Sequence, residues 1–404
     1  MAIDIDWNGV TNLLLQTVQT LQQALLHLMH GLGITHDIDG QPAWPFAARL
    51  SGEVLVIDRS VTRALAGALA YSLLALLSLA AALIWRRFRI PLLLLAIAIG
   101  ALTPWPDIGL LSQPASASSF HVSPTAFSAQ AINRGERVYS QFCLSCHGAD
   151  GKGNTRIGLA LAIAPPNLSS GLLWRRPDGD VLWSIRHGKG EMPAFAEQIS
   201  VADSWALIDY MKANAAGVNI RETGLWQRPV AIPDMELNCA PSNAARIADW
   251  HGQRVRLIVA PADGAALPLE DPRFQSLLLN AGARPAAAAA TDTGRIGAIQ
   301  CNNAAAESLH ALSIITAIAD QRLAGAQLIA DRDGWVRALK RPANTANTAD
   351  AADAWSDEDM LCRPPSASDS KPAAGKDSAA QGLEKLIATM DAEPIRFIKG
   401  GFYH

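Results

Sequence analysis

One apolar run dominates the hydropathy pattern of the chain: TRALAGALAYSLLALLSLAAALIW, Thr62 to Trp85, with a single charge near its start. About 20 such residues suffice to cross a bilayer core of roughly 30 Å, so the run predicts a transmembrane helix. Arg86, Arg87 and Arg89 follow, and then IPLLLLAIAIGALTPWPDIGLL reads as a second span closed by the interface-type residues Trp105 and Asp107. Residues 61–111 are therefore expected to form a transmembrane α-hairpin, because core helices of a soluble domain rarely stay apolar all round for this many turns. The positive-inside rule puts the arginines on the cytoplasmic side and everything after Leu111 on the far side.

Residues 1–60 read as an N-terminal extracytoplasmic segment. Within VTNLLLQTVQTLQQALLHLMHGLG, residues Leu14, Val18, Leu21, Leu25, Leu28 and Leu32 recur at helical spacing, while Gln16, Gln19, Gln23, His27 and His30 lie off that stripe. This predicts an amphipathic helix, interfacial or packed on a partner, since so many amides and imidazoles would be costly in lipid. The opening MAIDID is acidic where a cleavable signal would be basic, so export is expected to depend on the hairpin.

Beyond the hairpin the pattern changes three times. Residues 112–126, with SQPASASSFHVSP, form a Ser/Ala/Pro linker. Residues 127–217 form a compact helical domain that ends in SVADSWALIDYMKANAAG, where Ser200 is the N-cap, Asp203 makes a capping-box-like start and Gly217 is the expected stop. After a linker at 218–231, residues 232–364 alternate β-rich runs such as RVRLIVAP and AQLIADRDGWVRAL with the helical stretch AAESLHALSIITAIADQ, an α/β pattern. Residues 365–404 read as a flexible linker, a short helix from Leu383 and a C-terminal tail.

With 404 residues, a net charge of −3 and only 18% charged residues, the chain lacks the basic field of a nucleic-acid binder. Its five cysteines are Cys143, Cys146, Cys239, Cys301 and Cys362. The last three allow one bridge with one free thiol, or three free thiols. Cys239 with Cys301 is the pair expected if two of them meet.

Cys143 and Cys146 belong to CLSCH. A zinc site would need a second Cys/His pair, and none follows His147 at a suitable spacing. A dithiol oxidoreductase would place CxxC after a buried strand, but AINRGERVYSQF before it is helical. Covalent haem attachment fits: both thiols add to the haem vinyl groups and His147 comes under the iron as an axial ligand. Candidates for the opposite ligand are His187, Met192 and Met211. Met211 sits in the apolar terminal helix and reads as core. Met192, in GKGEMPAF, is favoured over His187 because the following proline fixes an extended loop from which a thioether can point inward. The metal ligands are thus His147 and Met192, with no catalytic residue, since an iron with both axial positions filled suits one-electron transfer.

The segment from Phe127 to Gly217 resembles class I cytochrome c, through RGERVYSQFCLSCHGADGKG, PPNL, GKGEMPAF and SWALIDYM. The resemblance implies an all-α domain holding one haem c, in which the first helix crosses the last at Gly135 and Tyr139 against Trp205 and Tyr210. It also implies a proline carbonyl, Pro165 or Pro166, accepting from the axial histidine Nδ1. Trp183 and Trp174 either wall the haem or are ordinary core aromatics. Arg175, Arg176, Arg186 and Lys189 could form a cationic docking rim, although nearby acids nearly balance them.

The C-terminal region resembles thioredoxin-like redoxins, including copper-chaperone relatives of the Sco type, through IPDMELNC, ARIADWHGQRVRLIVAP and AQLIADRDGWVRAL. No cysteine pair stands in ADGAALPLED, where the active pair would fall, which implies a redox-inactive module. The arrangement is also similar to cytochrome segments fused to membrane proteins of the copper-resistance D type. The expected whole is multidomain: a transmembrane α-hairpin, an all-α class I cytochrome c domain and an α/β thioredoxin-like domain. It would sit in a bacterial inner membrane with both domains periplasmic, carrying electrons between redox protein partners of a larger respiratory or dehydrogenase complex. The alternative is a copper-handling or oxidase-assembly protein, resting on His27, Met29, His30, His36 and the lone cysteines.

Overall fold

A computed structural model describes residues 7–51, 59–103, 105, 108–240, 242–261, 271–280, 299–302, 306–342, 355, 382–392, 395, 397–398 and 402–403. The expected linker at 365–381 and Cys362 lie outside the described residues. The chain is a multidomain α plus mixed β-sheet protein that divides into two compact units. One comprises Met1–His121 with Ile398–Phe402, and the other Val122–Phe397 with the last two residues.

In the first unit, helix α1 (Trp7–Gly31) is followed by α2 (Arg59–Ile84) and α3 (Arg89–Leu102), the last two separated by a tight turn at Arg86–Phe88. Within α2 the window Arg63–Ile84, 22 residues, is apolar and long enough to cross a bilayer, rising about 33 Å. Leu73, Leu74, Leu76, Leu77 and Leu83 are exposed along it. The expected second span is shorter than the sequence suggests. Helix α3 packs on α2, with Ser78 Oγ donating to Leu92 O at 2.9 Å, but its 14 residues rise only about 21 Å. It ends where Thr103 turns extended (φ −63°, ψ 126°), the conformation forced on the residue before a proline, here Pro104.

Helix α1 leaves most of the leucine stripe exposed and docks within its unit through another face. Leu21, Leu25, Leu28 and Leu32 are exposed, while Leu15, Gln22 and Leu26 are buried. The burial of Gln22 is explained by its partners: its amide oxygen accepts from Leu50 N at 2.7 Å and its amide nitrogen donates to Leu50 O at 3.0 Å. This docks α1 on the strand Ala48–Leu50, which pairs antiparallel with Ser112–Pro114.

The second unit opens with α4 (Ala129–Phe142), capped by Ser128, continues through α5 (Asp178–His187) and reaches α6 (Val201–Thr223), capped by Ser200. Helices α4 and α6 cross closely: a Cβ on Gly135 would stand 2.0 Å from Ala206 O and 2.7 Å from Tyr210 Cβ. Tyr139 and Tyr210 pack beside the crossing, with ring centroids 5.2 Å apart, and Trp205 is buried.

A six-stranded sheet follows, built from β1 (Asn238–Ala240), β2 (Val255–Val259), β3 (Gln275–Asn280), β4 (Ile299–Asn302), β5 (Gln327–Ala330) and β6 (Val336–Lys340). Its order is β6-β5-β2-β3-β4-β1, with β2-β3 and β3-β4 parallel and the other neighbours antiparallel. Strand β2 is buried on both faces, including Arg256, whose guanidinium donates to Gln327 Oε1 at 2.7 and 3.1 Å. The β5-β6 hairpin turns at Asp333-Gly334, where Gly334 supplies a left-handed φ of 83° and Asp331 Oδ1 accepts from the amides of Asp333 and Trp335. One sheet face carries Leu257, Leu277 and Leu328 toward α7 (Ala306–Thr316), and the opposite face carries Ile329 and Ala338 toward α8 (Leu383–Ala392).

Helix α6 does not stop at Gly217. It runs six residues further, and Gly217 is where α7 comes closest: a Cβ there would lie 2.0 Å from Ile314 O. Helix α7 also meets α4, with Asn133 Nδ2 donating to Glu307 O at 2.6 Å and His310 Nε2 lying 2.6 Å from Glu136 Oε2. Trp226 donates to Ile315 O at 2.9 Å, and Ala129 N to Asp234 O at 2.8 Å. Buried residues from Ile132 on α4 to Leu339 on β6 form a single hydrophobic cluster. The helices and the sheet therefore share one core.

Candidate functional site

Helix α4 delivers the CLSCH turn. Cys143 closes α4 and starts the single turn Leu144–His147, and its carbonyl accepts from Cys146 N at 3.2 Å and His147 N at 2.9 Å. The turn ends at Gly148, whose φ of 76° a side chain would resist. Cys143 and Cys146 are both free thiols, the first buried and the second half-buried. Burial, and then the neighbouring Cys146, push the Cys143 thiol up to about 12, so it stays protonated. Burial holds His147 below the ordinary imidazole value, which favours the neutral form that can donate an electron pair to a metal. Its Nδ1 is buried and makes no hydrogen bond.

The loop after His147 is locked by residues that spacing did not single out. The Thr155 hydroxyl lies 2.8 Å from Ser145 O and 3.1 Å from Cys146 O, and accepts from Gly158 N at 2.9 Å. Gly153 N donates to His147 O, and a Cβ on Gly153 would stand 2.5 Å from Pro165 O. A Cβ on Gly158 would stand 2.6 Å from Cys146 O. The only sequence signal for this clamp was the density of glycines in GADGKGNTRIG. Tyr139 donates to Gly148 O at 2.7 Å and Asn214, on α6, to Ala149 O at 2.9 Å. The extension of α6 past Gly217 adds Asn219 donating to Ser169 O and Glu222 paired with Lys152 at 2.6 Å.

Met192 lies half-buried against the core in a turn closed by two 3.1 Å hydrogen bonds between Lys189 and Met192. Gly188 (φ 78°) and Gly190 (φ 61°) make the turn possible, and a Cβ on Gly188 would strike Met192 O at 2.6 Å. Three residues on, Phe195 packs edge-on against Phe142, with centroids 6.1 Å apart, so the Met192 loop and the end of α4 meet on the same side. His187 is exposed and stacked on Trp183 at 3.6 Å, its Nδ1 3.3 Å from Trp183 O. Met211 is buried in the core. Trp174 is buried too and donates to Pro229 O at 2.9 Å, a packing role.

The residues present fit a covalently attached haem. Two free thiols and a half-buried imidazole share one turn, and Ile157, Leu159 and Ile163, shortly after that turn in the chain, are exposed apolar side chains. The hydrogen bond implied for Pro165 or Pro166 is not formed, but it is the Pro165 carbonyl that faces the Gly153 turn. The cationic rim is thinner than its sequence. Arg176 donates to Asp180 O and Ser184 Oγ, and Arg186 to Ile199 O, which leaves Arg175 and Lys189 as its exposed members.

No group of three or more His, Cys, Asp or Glu able to hold a metal forms among the described residues. Of the candidates for the copper alternative, His27 is exposed and His30 Nε2 is taken by Asp37 Oδ1 at 3.0 Å. Cys239 is disulfide-bonded, and the β1-β4 register sets Cys301 directly opposite it.

The two thiols and the imidazole stand on one turn at the end of the crossed α4–α6 helix pair. Residues 130–211 match the family described as cytochrome C oxidase, cbb3-type, subunit III. Over 84 residues the chain is 29% identical to the cbb3-type cytochrome c oxidase subunit CcoP of Azospirillum brasilense, which covers 20% of this chain and 28% of that protein. The chain thus spans little more than a quarter of the curated relative it matches. Among solved structures, the Kuenenia stuttgartiensis reducing HAO-like protein complex Kustc0457/Kustc0458 aligns at 20% identity and a TM-score of 0.21, covering 29% of this chain and 57% of that one.

Proposed function

We propose that the chain is a membrane-anchored, periplasmic c-type cytochrome with one haem, passing single electrons between neighbouring subunits of a respiratory complex. The observation that carries this reading is the pair of free thiols and the half-buried imidazole, its Nδ1 buried, on a single turn. The match of residues 130–211 to an oxidase subunit III family and the apolar helix Arg63–Ile84 support the partner class and the inner-membrane location.

Cys143 and Cys146 would hold haem c through thioethers, His147 would ligate the iron from one side and Met192 from the other. A haem ligated in this way supplies reversible one-electron chemistry, with a potential that a thioether raises. The chain's own residues do the rest. Thr155, Gly153 and Gly158 fix the turn so that His147 keeps one orientation, and the carbonyl of Pro165 or Pro166 would accept the Nδ1 hydrogen bond of the ligating imidazole. The Lys189–Met192 turn sets the reach of the thioether, and the exposed apolar side chains Ile157, Leu159 and Ile163 would pack against the bound group.

The C-terminal region is read as a thioredoxin-like module without redox function. Support comes from the order and directions of β6-β5-β2-β3, from α7 entering before β5, and from Cys239 being held in a disulfide. It serves instead as the second half of the cytochrome core.

The test is Met192→Ala. The wild-type ferric protein should be low-spin, with a weak near-infrared sulfur-to-iron band, and its reduced form should bind carbon monoxide poorly. The variant should keep its covalent haem, lose the band, bind carbon monoxide and fall in potential. An unchanged spectrum in the variant, with a changed one in His187→Ala, would move the ligand to His187. A wild-type protein that binds carbon monoxide stoichiometrically would overturn the carrier reading.

A further inference from the structure

Beside the turn between α2 and α3 lies an open groove of about 650 Å³ that the electron-transfer reading leaves unused. Its walls are apolar, from Ile84, Pro91, Leu92 and Leu95, and its rim carries Trp85, Phe88, Arg86 and Arg87. Arg86, Arg87 and the adjacent Arg89 are exposed and pair with no acid among the described residues. The sequence offers them none nearby, since no Asp or Glu occurs between Asp58 and Asp107. Three uncompensated guanidinium groups at one end of a hydrocarbon-lined groove, at the end of the one helix among the described residues long enough to span, form a two-part recognition surface. The lining suits an acyl chain and the guanidinium fork suits a phosphate. Trp85 and Phe88, both more than half exposed, are side chains that favour the level between headgroup and hydrocarbon.

We propose that this groove is a binding site for one anionic phospholipid, its phosphate held by Arg86 and Arg87 and the upper part of one acyl chain lying against Leu92 and Leu95. The proposal rests on the membrane location given above. A soluble anion is not the occupant, because the groove walls offer it apolar surface in place of donors.

The full chain in lipid nanodiscs provides the test, with Trp85 as reporter. Trp85-dependent emission, taken as wild type minus Trp85→Phe, is quenched by lipids brominated on the acyl chain. Brominated phosphatidylglycerol, diluted into phosphatidylcholine, should quench it with an apparent preference on the order of tenfold over brominated phosphatidylcholine at the same dilution. In the Arg86→Gln, Arg87→Gln double variant the preference should fall close to one, while Arg175→Gln, in the other unit, leaves it unchanged. Equal quenching by the two lipids in the wild type, or no quenching by either, would overturn the site while leaving the membrane location standing. A chain that stays soluble and enters neither nanodisc would overturn the location and the site together.

Discussion

Replacing Gly217 by alanine tests whether helices α4 and α6 and the sheet form one cooperative body. Two opposing effects can be weighed. An alanine inside a helix gains about 1 kcal/mol of propensity over glycine. Against this, the added Cβ would stand 2.0 Å from Ile314 O, well inside an ordinary C···O approach of about 3.3 Å. The obstructing atom is a backbone carbonyl of α7, so no side chain can swing away and the two helices must part. Overpacking of this kind costs about 1–3 kcal/mol, and the severity of the overlap puts it toward the upper end, so the net effect is a destabilisation of about 1–2 kcal/mol. Urea unfolding of the full chain in detergent should be followed by the haem absorption band, which reports α4 and α6, and by far-ultraviolet circular dichroism, to which the sheet contributes. Both transitions should coincide in the wild type and move together to lower urea in Gly217→Ala. A variant as stable as the wild type would refute the close packing, and a shift confined to one signal would refute the shared core.

Two further predictions concern pH. Burial lifts the Asp209 carboxyl to about 7, against the weaker opposing pull of the Thr125 hydrogen bond at 2.5 Å and of Lys212. The folded state therefore keeps a proton that the unfolded chain has released, and stability should fall as pH rises from about 4 to 7. Asp209→Asn should flatten that slope and be the more stable protein at pH 8, by up to a few kcal/mol; an unchanged slope would contradict the assignment. Burial pulls His310 down, but its bonds to Glu136 and Asp320 outweigh this and hold it above the ordinary imidazole value. Its contribution is thus fully present below about pH 6.5 and lost as pH rises through the folded value. His310→Gln should lose less than about 1 kcal/mol at pH 6, the group being partly exposed, and almost nothing at pH 9. Equal losses at both pH values would show that the imidazole acts by shape alone.

The parts of the fold that could be read in the sequence are those set by local chemistry. CLSCH places two thiols and an imidazole on one turn whatever surrounds it, and Ser200 caps α6 through its own i+3 amide. Gly135 was legible as a crossing point only through the family resemblance. The misread parts depend on distant neighbours. Gly217 looked like a helix stop, but its missing side chain answers the approach of α7 from almost a hundred residues away. On α1 the leucine stripe is exposed, and the face docked within the unit was not legible, since Gln22 is buried only because Leu50 supplies both halves of its amide hydrogen bonding. The second apolar run was long enough in composition, and Thr103, extended ahead of Pro104, cut its helix short. Thr155 carries no motif at all: its role appears only once the loop folds back on the Cys146 carbonyl.

The central claim is that Cys143 and Cys146 hold a haem covalently under His147. Peptide mass spectrometry of the purified, alkylated protein tests it most directly. The account predicts that the peptide spanning residues 143–147 carries the mass of one haem with neither cysteine alkylated, and that Cys143→Ser with Cys146→Ser abolishes the adduct while Cys239 stays in its disulfide. Recovery of the wild-type peptide with both thiols alkylated and no haem mass, from cells competent to mature c-type cytochromes, would contradict it.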